Sequence, residues 1–288
     1  MPTARVNDCN LYYEIHEPRE ADARERARSL PPLLFINGLG GHLGEIPHLI
    51  EAYGRRVRMA VFDSRGCGRS EKPDGDYSIP GFADDAAALL DALGIASAVV
   101  YGSSMGGMIA QELVLRHPEK VRALILGCTT AGAIRGAQPS PETIQRMVRN
   151  QSLSGDEALV AGWQLGYSRS YIDAHYDVMI ASSREASRYG APRESYMRQV
   201  LAAARHDTYD RLQQIACPVM IIHGTDDVMI PAGNAELLKQ GIPHAELRLL
   251  AGMGHGYNLE AQPQADELVM DFHTRHAGAA ESAAHAVR

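Results

Sequence analysis

The stretch Gly102-Ser103-Ser104-Met105-Gly106 decides how this chain is interpreted, because it has the pattern G-x-S-x-G with Ser104 at its centre. An apolar run, Ala98 to Tyr101, leads into it, and Ser104 to His117 follows with apolar residues on one face. A strand, a strained turn with small neighbours and a helix together expose a serine hydroxyl at a helix N-terminus, where negative charge is favoured. We therefore predict that Ser104 is a nucleophile and that Ser103 points elsewhere. The alternative is that Ser104 only caps the helix.

Short apolar runs alternate with helix-like segments on both sides of this stretch. Strict polar alternation is missing from several runs, which is typical of parallel strands covered on both faces. The predicted strands are 32–36, 57–62, 98–101, 121–126, 218–222 and 247–250, and the predicted helices are 82–93, 104–117 and 259–273. Leu11 to Ile15 is interpreted as part of an antiparallel start. This alternation predicts an α/β fold with a mostly parallel, twisted sheet flanked by helices.

The strand pattern stops between residues 133 and 210 and resumes at Pro218. The intervening stretch is helical in pattern and rich in aromatic residues, so we predict a helical cap at 133–210 and a core made of 1–132 and 211–288. Residues 18–30 carry dense charge of both signs and are expected to form a solvated loop or short helix. The small, polar tail after Ala277 is expected to fray.

Composition excludes several classes of function. The 288 residues carry a formal net charge of -7 with no basic stripe, which disfavours a nucleic-acid partner. The four cysteines, at 9, 67, 128 and 217, form no C-x-x-C pair, so neither a zinc site nor a disulfide framework is expected. No signal-like N-terminus and no apolar run of about 18 residues is present, so we expect no membrane association. A cytoplasmic protein, monomeric or homodimeric, is the simplest expectation.

A serine nucleophile needs an imidazole beside it as general base. His255 lies in the glycine-flanked stretch Ala251 to Gly256, directly after the last predicted strand, where ligands meet an open α/β sheet. We predict that His255 is the base; the alternative is a histidine that serves only the turn. His42, His48 and His223 are interpreted as surface or hydrogen-bonded buried histidines, with His42 also a candidate for the pocket wall.

The imidazole needs a carboxylate that fixes its tautomer. Asp226 and Asp227 both follow the predicted strand 218–222, and this fold type places the acid between the serine and the histidine in the chain. Composition and spacing do not choose between the two aspartates. A further alternative is that an aspartate here caps the helix after Pro231.

Acyl transfer also needs preorganised N–H donors for the negative charge on the carbonyl oxygen. The backbone N–H of Met105, immediately after the nucleophile, is the first predicted donor. The second is the N–H of Leu39, in the glycine-rich loop Asn37 to His42, where Gly38 permits close approach to a substrate. A flexible turn without such a role is the alternative.

These segments, taken together, resemble the α/β-hydrolase family over essentially the whole chain. Residues 37–40 are similar to the family's His-Gly loop, with Asn37 in place of the usual His, and 63–70 resemble its D-x-R-G-x-G-x-S segment, which braces the fold. Residues 224–231 resemble G-x-x-D-x-x-x-P, and the resemblance assigns the acid to Asp227 rather than Asp226. Within the family, residues 37–40, 62–70, 101–110 and 257–260 resemble 3-oxoadipate enol-lactonases and related carboxylesterases.

The resemblance implies a serine hydrolase that cleaves a carboxylic ester or lactone through an acyl-enzyme, without metal or organic cofactor. The cap usually shapes the substrate pocket, and Trp163, Tyr167 and Tyr171 are candidates for its wall. Relatives with an aspartate nucleophile are disfavoured because Ser104 stands at the elbow. Two alternatives remain open: a carbon–carbon bond hydrolase or cofactor-free perhydrolase with the same residues, and a ligand receptor that retains them.

Overall fold

The structure, a computed structural model, describes residues 2–19, 24–25 and 30–278. Within these residues one eight-stranded sheet has the order β1-β2-β4-β3-β5-β6-β7-β8. The strands are β1 (Thr3–Val6), β2 (Cys9–His16), β3 (Leu33–Ile36), β4 (Met59–Phe62), β5 (Ala98–Ser103), β6 (Val121–Gly127), β7 (Val219–Gly224) and β8 (Glu246–Leu250). β2 pairs antiparallel with β1 and β4, and the other strand pairs are parallel. The predicted mostly parallel sheet with an antiparallel start is confirmed.

Helices cover both faces of the sheet. They are α1 (Pro47–Gly54), α2 (Ile79–Ala92), α3 (Met105–Arg116), α4 (Pro141–Asn150), α5 (Gly155–Gly166), α6 (Arg169–Ala186), α7 (Arg193–Ala204), α8 (Gly233–Gly241), α9 (Tyr257–Glu260) and α10 (Gln262–Ala277). In β3, Leu34 and Ile36 join a core with α2, α3 and α8, while Leu33 and Phe35 join the opposite core with α1 and α10. The alternation follows from the two-residue period of a strand, and it explains why these runs are apolar throughout.

Several predicted bounds need correction. β4 begins at Met59 rather than Val57, because a turn precedes it. The predicted helix 82–93 begins at Ile79, because the Ser78 side chain caps it by accepting from the Gly81 N–H. The predicted helix 259–273 is two helices, α9 and α10, separated at Ala261. Most of the charged segment 18–30 and the tail from 279 onward lie outside the described residues.

The parallel order brings the carboxyl ends of β3, β5, β6, β7 and β8 to one edge. The paired residues Ile36 with Gly102, Ser103 with Gly127, and Gly224 with Leu250 fix this alignment. The loops that follow these ends carry the predicted nucleophile, acid, base and N–H donors, so the strand order brings all of these loops to the same edge of the sheet.

Helices α4 to α7 lie between β6 and β7 in the chain, and an isolated bridge pairs Gly132 with Asp207 where this segment leaves and rejoins the sheet. The division into a core and a cap at residues 133 and 210 remains a prediction. Among the residues that the structure describes, no helix combines the length and the apolar character that crossing a membrane requires.

Candidate active site

Ser104 stands at a sharp turn between β5 and α3 with a positive φ of 57°. Two glycines make this turn sterically possible. A Cβ on Gly102 would lie 2.2 Å from the Gly106 carbonyl oxygen, and one on Gly106 would lie 2.0 Å from the Ile36 carbonyl oxygen. The Ser104 side chain makes no capping hydrogen bond to α3. A serine in a strained turn, whose hydroxyl makes no capping hydrogen bond, is suited to nucleophilic attack rather than to helix capping.

The end of β6 holds this turn in place. Ser104 N–H donates to the Gly127 carbonyl at 2.9 Å, and the Thr129 hydroxyl donates to the Ser104 carbonyl at 2.7 Å. Ser103 is directed to a different neighbour, with its Oγ 3.4 Å from Cys128 Sγ. The two adjacent serines therefore have separate surroundings.

His255 and Asp227 are in direct contact, with His255 Nδ1 2.7 Å from Asp227 Oδ2. The Asp227 side chain is fully buried, and its other oxygen accepts the N–H groups of Met229 and Ile230, each at 2.9 Å. Asp226 is exposed and accepts from Thr225 at 2.8 Å instead. The structure thus brings Asp227, and not Asp226, to the histidine. The turn that Asp227 closes precedes α8, so Asp227 does not cap that helix.

The contact sets the protonation of both groups. Burial would raise the pKa of Asp227, but His255 and His223 more than offset it and hold that pKa below its usual range. Burial would lower the pKa of His255, but Cys128 and the Asp227 carboxylate reverse this, and the pKa lies well above its ordinary value. Because the ionised carboxylate accepts from Nδ1, the neutral imidazole has Nε2 free to take a proton.

Ser104 and His255 are not hydrogen-bonded to each other in the part of the chain that the structure describes. Contacts between a nucleophile and its base are often looser without substrate than in the reacting complex.

Among the described residues, the glycine N–H groups of the loop after β3 have acceptors, whereas the Leu39 N–H has none. Gly38 N–H donates to the Asn37 side chain at 2.8 Å, Gly40 N–H to Gln199 at 2.7 Å and Gly41 N–H to the Gly38 carbonyl at 3.1 Å. Within the described residues, Leu39 N–H has no acceptor, and neither has Met105 N–H at the start of α3. These are the two N–H groups predicted to hold an oxyanion. Gly38 lies beside the nucleophile, since a Cβ there would be 3.1 Å from Ser104 Cβ.

Two buried side chains brace this loop. Asp63 accepts the N–H groups of Leu43 and Arg69, each at 2.7 Å, in agreement with the bracing role that the resemblance implied. Gln199, on α7, accepts from Gly40 and donates to the Arg65 carbonyl at 3.0 Å. No sequence signal distinguishes Gln199 from other polar residues on a helix, so sequence reasoning missed it.

A cavity of about 690 Å³ lies beside the site, within the range of small-molecule pockets. The predicted pocket residues Trp163, Tyr167 and Tyr171 all line it, as do His42 and His48. The Tyr167 ring packs against Gly256, where a Cβ would come within 2.2 Å of it. The cavity is thereby adjacent to the loop that carries His255.

The interpretation of three other histidines as surface or satisfied residues needs correction. The Nε2 atoms of His42 and His48 and the Nδ1 atom of His223 are buried without a hydrogen-bond partner among the described residues. His223 is completely buried, and its Nε2 is 2.7 Å from the Ile230 carbonyl and 3.3 Å from Asp227 Oδ2. His223 is therefore part of the surroundings of Asp227.

The described residues contain no group of three or more His, Cys, Asp or Glu side chains arranged to hold a metal ion. A hydroxyl, an imidazole and a carboxylate follow the ends of β5, β8 and β7, and the last two are in contact. That set is chemically competent for acyl transfer.

Comparison with known proteins defines the class. A family model described as the alpha/beta hydrolase fold matches residues 31–262, so the chain belongs to the α/β-hydrolase family and is a hydrolase. It is 31% identical to 3-oxoadipate enol-lactonase 2 of Acinetobacter baylyi over 236 residues, 82% of this chain and 85% of that protein. It is 29% identical to a protein of Azorhizobium caulinodans named as a carbamate hydrolase, covering 94% of this chain and 98% of the relative.

Among solved structures, the chain is similar to the enol-lactonase from Burkholderia xenovorans. The TM-score is 0.79 and the sequence identity 26%, with 95% of this chain and 100% of the other covered. The predicted α/β-hydrolase fold and family are confirmed.

Proposed function

We propose that this protein hydrolyses a carboxylic ester or lactone through an acyl-enzyme, with Ser104 as nucleophile, His255 as general base and Asp227 as the orienting acid. The observation that carries the proposal is the 2.7 Å contact between His255 and a buried Asp227 at the strand edge where Ser104 stands with an uncommitted hydroxyl. The enol-lactonase and carbamate hydrolase names of its relatives support acyl-group hydrolysis.

In the first step, Ser104 Oγ attacks the carbonyl carbon while His255 Nε2 takes the hydroxyl proton. Negative charge forms on the carbonyl oxygen, where the N–H groups of Leu39 and Met105 stabilise it. His255 then gives its proton to the leaving alcohol oxygen, and the carbon–oxygen bond breaks. Asp227 stays ionised throughout and stabilises the imidazolium.

In the second step, His255 removes a proton from water, whose oxygen attacks the acyl-enzyme. Collapse of the second tetrahedral intermediate returns the proton to Ser104 and releases the carboxylic acid. Every proton is carried by His255, so the steps need no metal or organic cofactor. Trp163, Tyr167 and Tyr171 line the cavity next to the loop that carries His255 and would form the apolar wall of the substrate pocket.

The proposal is tested by hydrolysis of p-nitrophenyl acetate and butyrate by the protein and its Ser104→Ala variant. We expect the variant to lose at least about 10³-fold in kcat/KM. A Ser103→Ala variant, which changes the neighbouring hydroxyl, should keep activity within a few-fold. Equal hydrolysis by Ser104→Ala and the unchanged protein would refute the nucleophile assignment.

An organophosphonate probe followed by peptide mass analysis gives an independent readout, because it should modify Ser104 and no other serine. A panel of an alkyl ester, an enol-lactone, a carbamate and a vinylogous diketone then distinguishes ester or lactone hydrolysis from the carbon–carbon alternative.

The cytoplasmic location, the absence of membrane and nucleic-acid partners, and a monomeric or homodimeric state remain predictions.

A further inference from the structure

The cavity beside the proposed site contains one carboxyl group with no cationic partner. Glu45 lies on its wall, and the described lining residues include neither lysine nor arginine. Protein surrounds the Glu45 carboxyl closely enough for burial to raise its pKa to about 7, although 49% of the side chain remains accessible. With no lysine or arginine among the described lining residues to neutralise it, this half-exposed carboxyl can pair with a positively charged ligand that enters the cavity.

The neighbouring imidazoles do not neutralise Glu45. His42 Nε2 is 3.6 Å from the Glu45 carboxyl oxygen, the one His, Lys or Arg contact within 4.0 Å in the described part of the chain. Burial lowers the pKa of His42, and it lowers the pKa of His48 to about 4. Both imidazoles are therefore neutral at pH 7. Gly44 N–H donates to His42 Nδ1 at 3.2 Å, which leaves the His42 proton on Nε2, facing Glu45.

Aromatic rings form another part of the same wall. Tyr167 and Tyr171 stack with their ring centroids 5.6 Å apart, and Tyr171 stacks on His175 at 4.1 Å. Trp163 also lines the cavity. Ring faces of Tyr and Trp that these stacks leave uncovered attract cations electrostatically, and an ammonium group gains most where water is largely excluded.

We propose that Glu45 and this aromatic wall recognise an ammonium group on the substrate, so that cationic esters or lactones are the preferred class. The inference rests on the proposed function, since the cavity is taken as the substrate pocket of the same site. The Tyr167 ring packs on Gly256, beside His255, and thus links the cavity to the proposed base.

The test compares esters that differ only in charge. One is p-nitrophenyl 6-(trimethylammonio)hexanoate, and its neutral isostere is p-nitrophenyl 7,7-dimethyloctanoate. A second arm places the same groups on the alcohol, with 6-(trimethylammonio)hexyl acetate and 7,7-dimethyloctyl acetate. The readout is the ratio of kcat/KM within each pair at pH 8, where the Glu45 carboxyl is ionised.

We expect kcat/KM to favour the cationic ester by about tenfold in at least one arm. That is the effect expected when a cation contacts a carboxylate and an aromatic ring with water partly excluded. Glu45→Gln should bring the ratio close to one. Glu157→Gln is the matched control: it removes one exposed carboxylate from α5 outside this cavity and should leave the ratio unchanged. That control separates recognition by Glu45 from general attraction to an acidic protein.

No preference in either arm, or a preference that survives Glu45→Gln, would overturn this inference while leaving ester hydrolysis intact. Failure of the protein to hydrolyse any of the four esters, with p-nitrophenyl acetate and the enol-lactone also unreactive, would instead refute the proposed function.

Discussion

His223 Nε2 lies 3.3 Å from Asp227 Oδ2, the oxygen that is 2.7 Å from His255 Nδ1. Because His223 Nε2 also contacts the Ile230 carbonyl at 2.7 Å, and a carbonyl only accepts, the His223 proton is on Nε2. The Asp227 carboxylate is therefore surrounded by two imidazole N–H groups and two backbone N–H groups. The His223 N–H stabilises part of the negative charge of Asp227, so Asp227 attracts the His255 imidazolium less strongly than it would without His223.

His223 offers a matched pair of substitutions. His223→Gln places an amide N–H donor near the original Nε2, whereas His223→Asn is too short to supply it. We expect His223→Asn to lower kcat/KM for p-nitrophenyl butyrate by about three- to tenfold, the effect of one lost hydrogen bond. The midpoint of its pH–activity profile should move upward, because Asp227 then attracts the imidazolium more strongly. The same shift in both variants, or in neither, would contradict this positioning role.

The pH profile of the unchanged protein tests the proposed base. His255 accepts a proton only when it is neutral, and its neighbours raise its pKa above the ordinary 6.5. Activity should therefore be full at alkaline pH and be lost as the pH falls through that raised value. The measurement is kcat/KM for p-nitrophenyl butyrate from pH 5 to 9, corrected for spontaneous hydrolysis. A midpoint well below 6.5 would be inconsistent with an imidazole held by Asp227.

The two adjacent aspartates provide the sharpest comparison. Asp227→Asn should reduce kcat by about 10³- to 10⁴-fold, because an amide no longer fixes the tautomer or stabilises the imidazolium. Asp226→Asn changes an exposed carboxylate that contacts Thr225, so the kcat of this variant should stay within about twofold of that of the unchanged protein. Steady-state kinetics on both variants decide the assignment, and comparable losses would overturn the choice of Asp227.

Gln199 ties a helix between β6 and β7 to the loop that carries Leu39. Gln199→Leu removes the acceptor for Gly40 N–H, and we expect kcat to fall about tenfold with little change in KM, because oxyanion donors act in the transition state. Gln145→Leu, on an exposed face of α4, is the control. A change confined to KM would show that Gln199 shapes substrate binding rather than the N–H donors.

The candidate site divides into parts that sequence predicts and parts that it does not. Ser104 and His255 are recognisable in the sequence because each lies among glycines at the end of a strand. Such glycines indicate a tight turn whose backbone conformation or close packing residues with a Cβ do not readily tolerate. The family resemblance was needed to choose Asp227 over Asp226, since burial and contact decide between them and adjacent residues share one local pattern. Gln199 and His223 could not be predicted, because their roles depend on tertiary contacts; Gln199 is 159 residues from Gly40.

The turn at Ser104 also makes a prediction about stability. Gly106→Ala would place a Cβ 2.0 Å from the Ile36 carbonyl oxygen and 2.6 Å from that of Asn37. Both obstacles are backbone atoms, which relax less easily than a side-chain end, so we expect a loss of about 3 kcal/mol, the upper end of the usual range for overpacking, in the free energy of unfolding. The same displacement would separate α3 from the Leu39 loop, so activity should fall further than stability alone explains.

Gly162→Ala provides the contrast, because a Cβ at this position in α5 meets nothing within 4 Å. Alanine should stabilise that helix by about 0.5–1 kcal/mol, since glycine loses more conformational freedom on folding. Urea denaturation of both variants, read by circular dichroism, measures the two changes with opposite expected signs. If Gly106→Ala unfolded at the same urea concentration as the unchanged protein, the close packing of α3 on the end of β3 would be wrong. The positions of Met105 and Leu39 as a pair of donors would then lose their support.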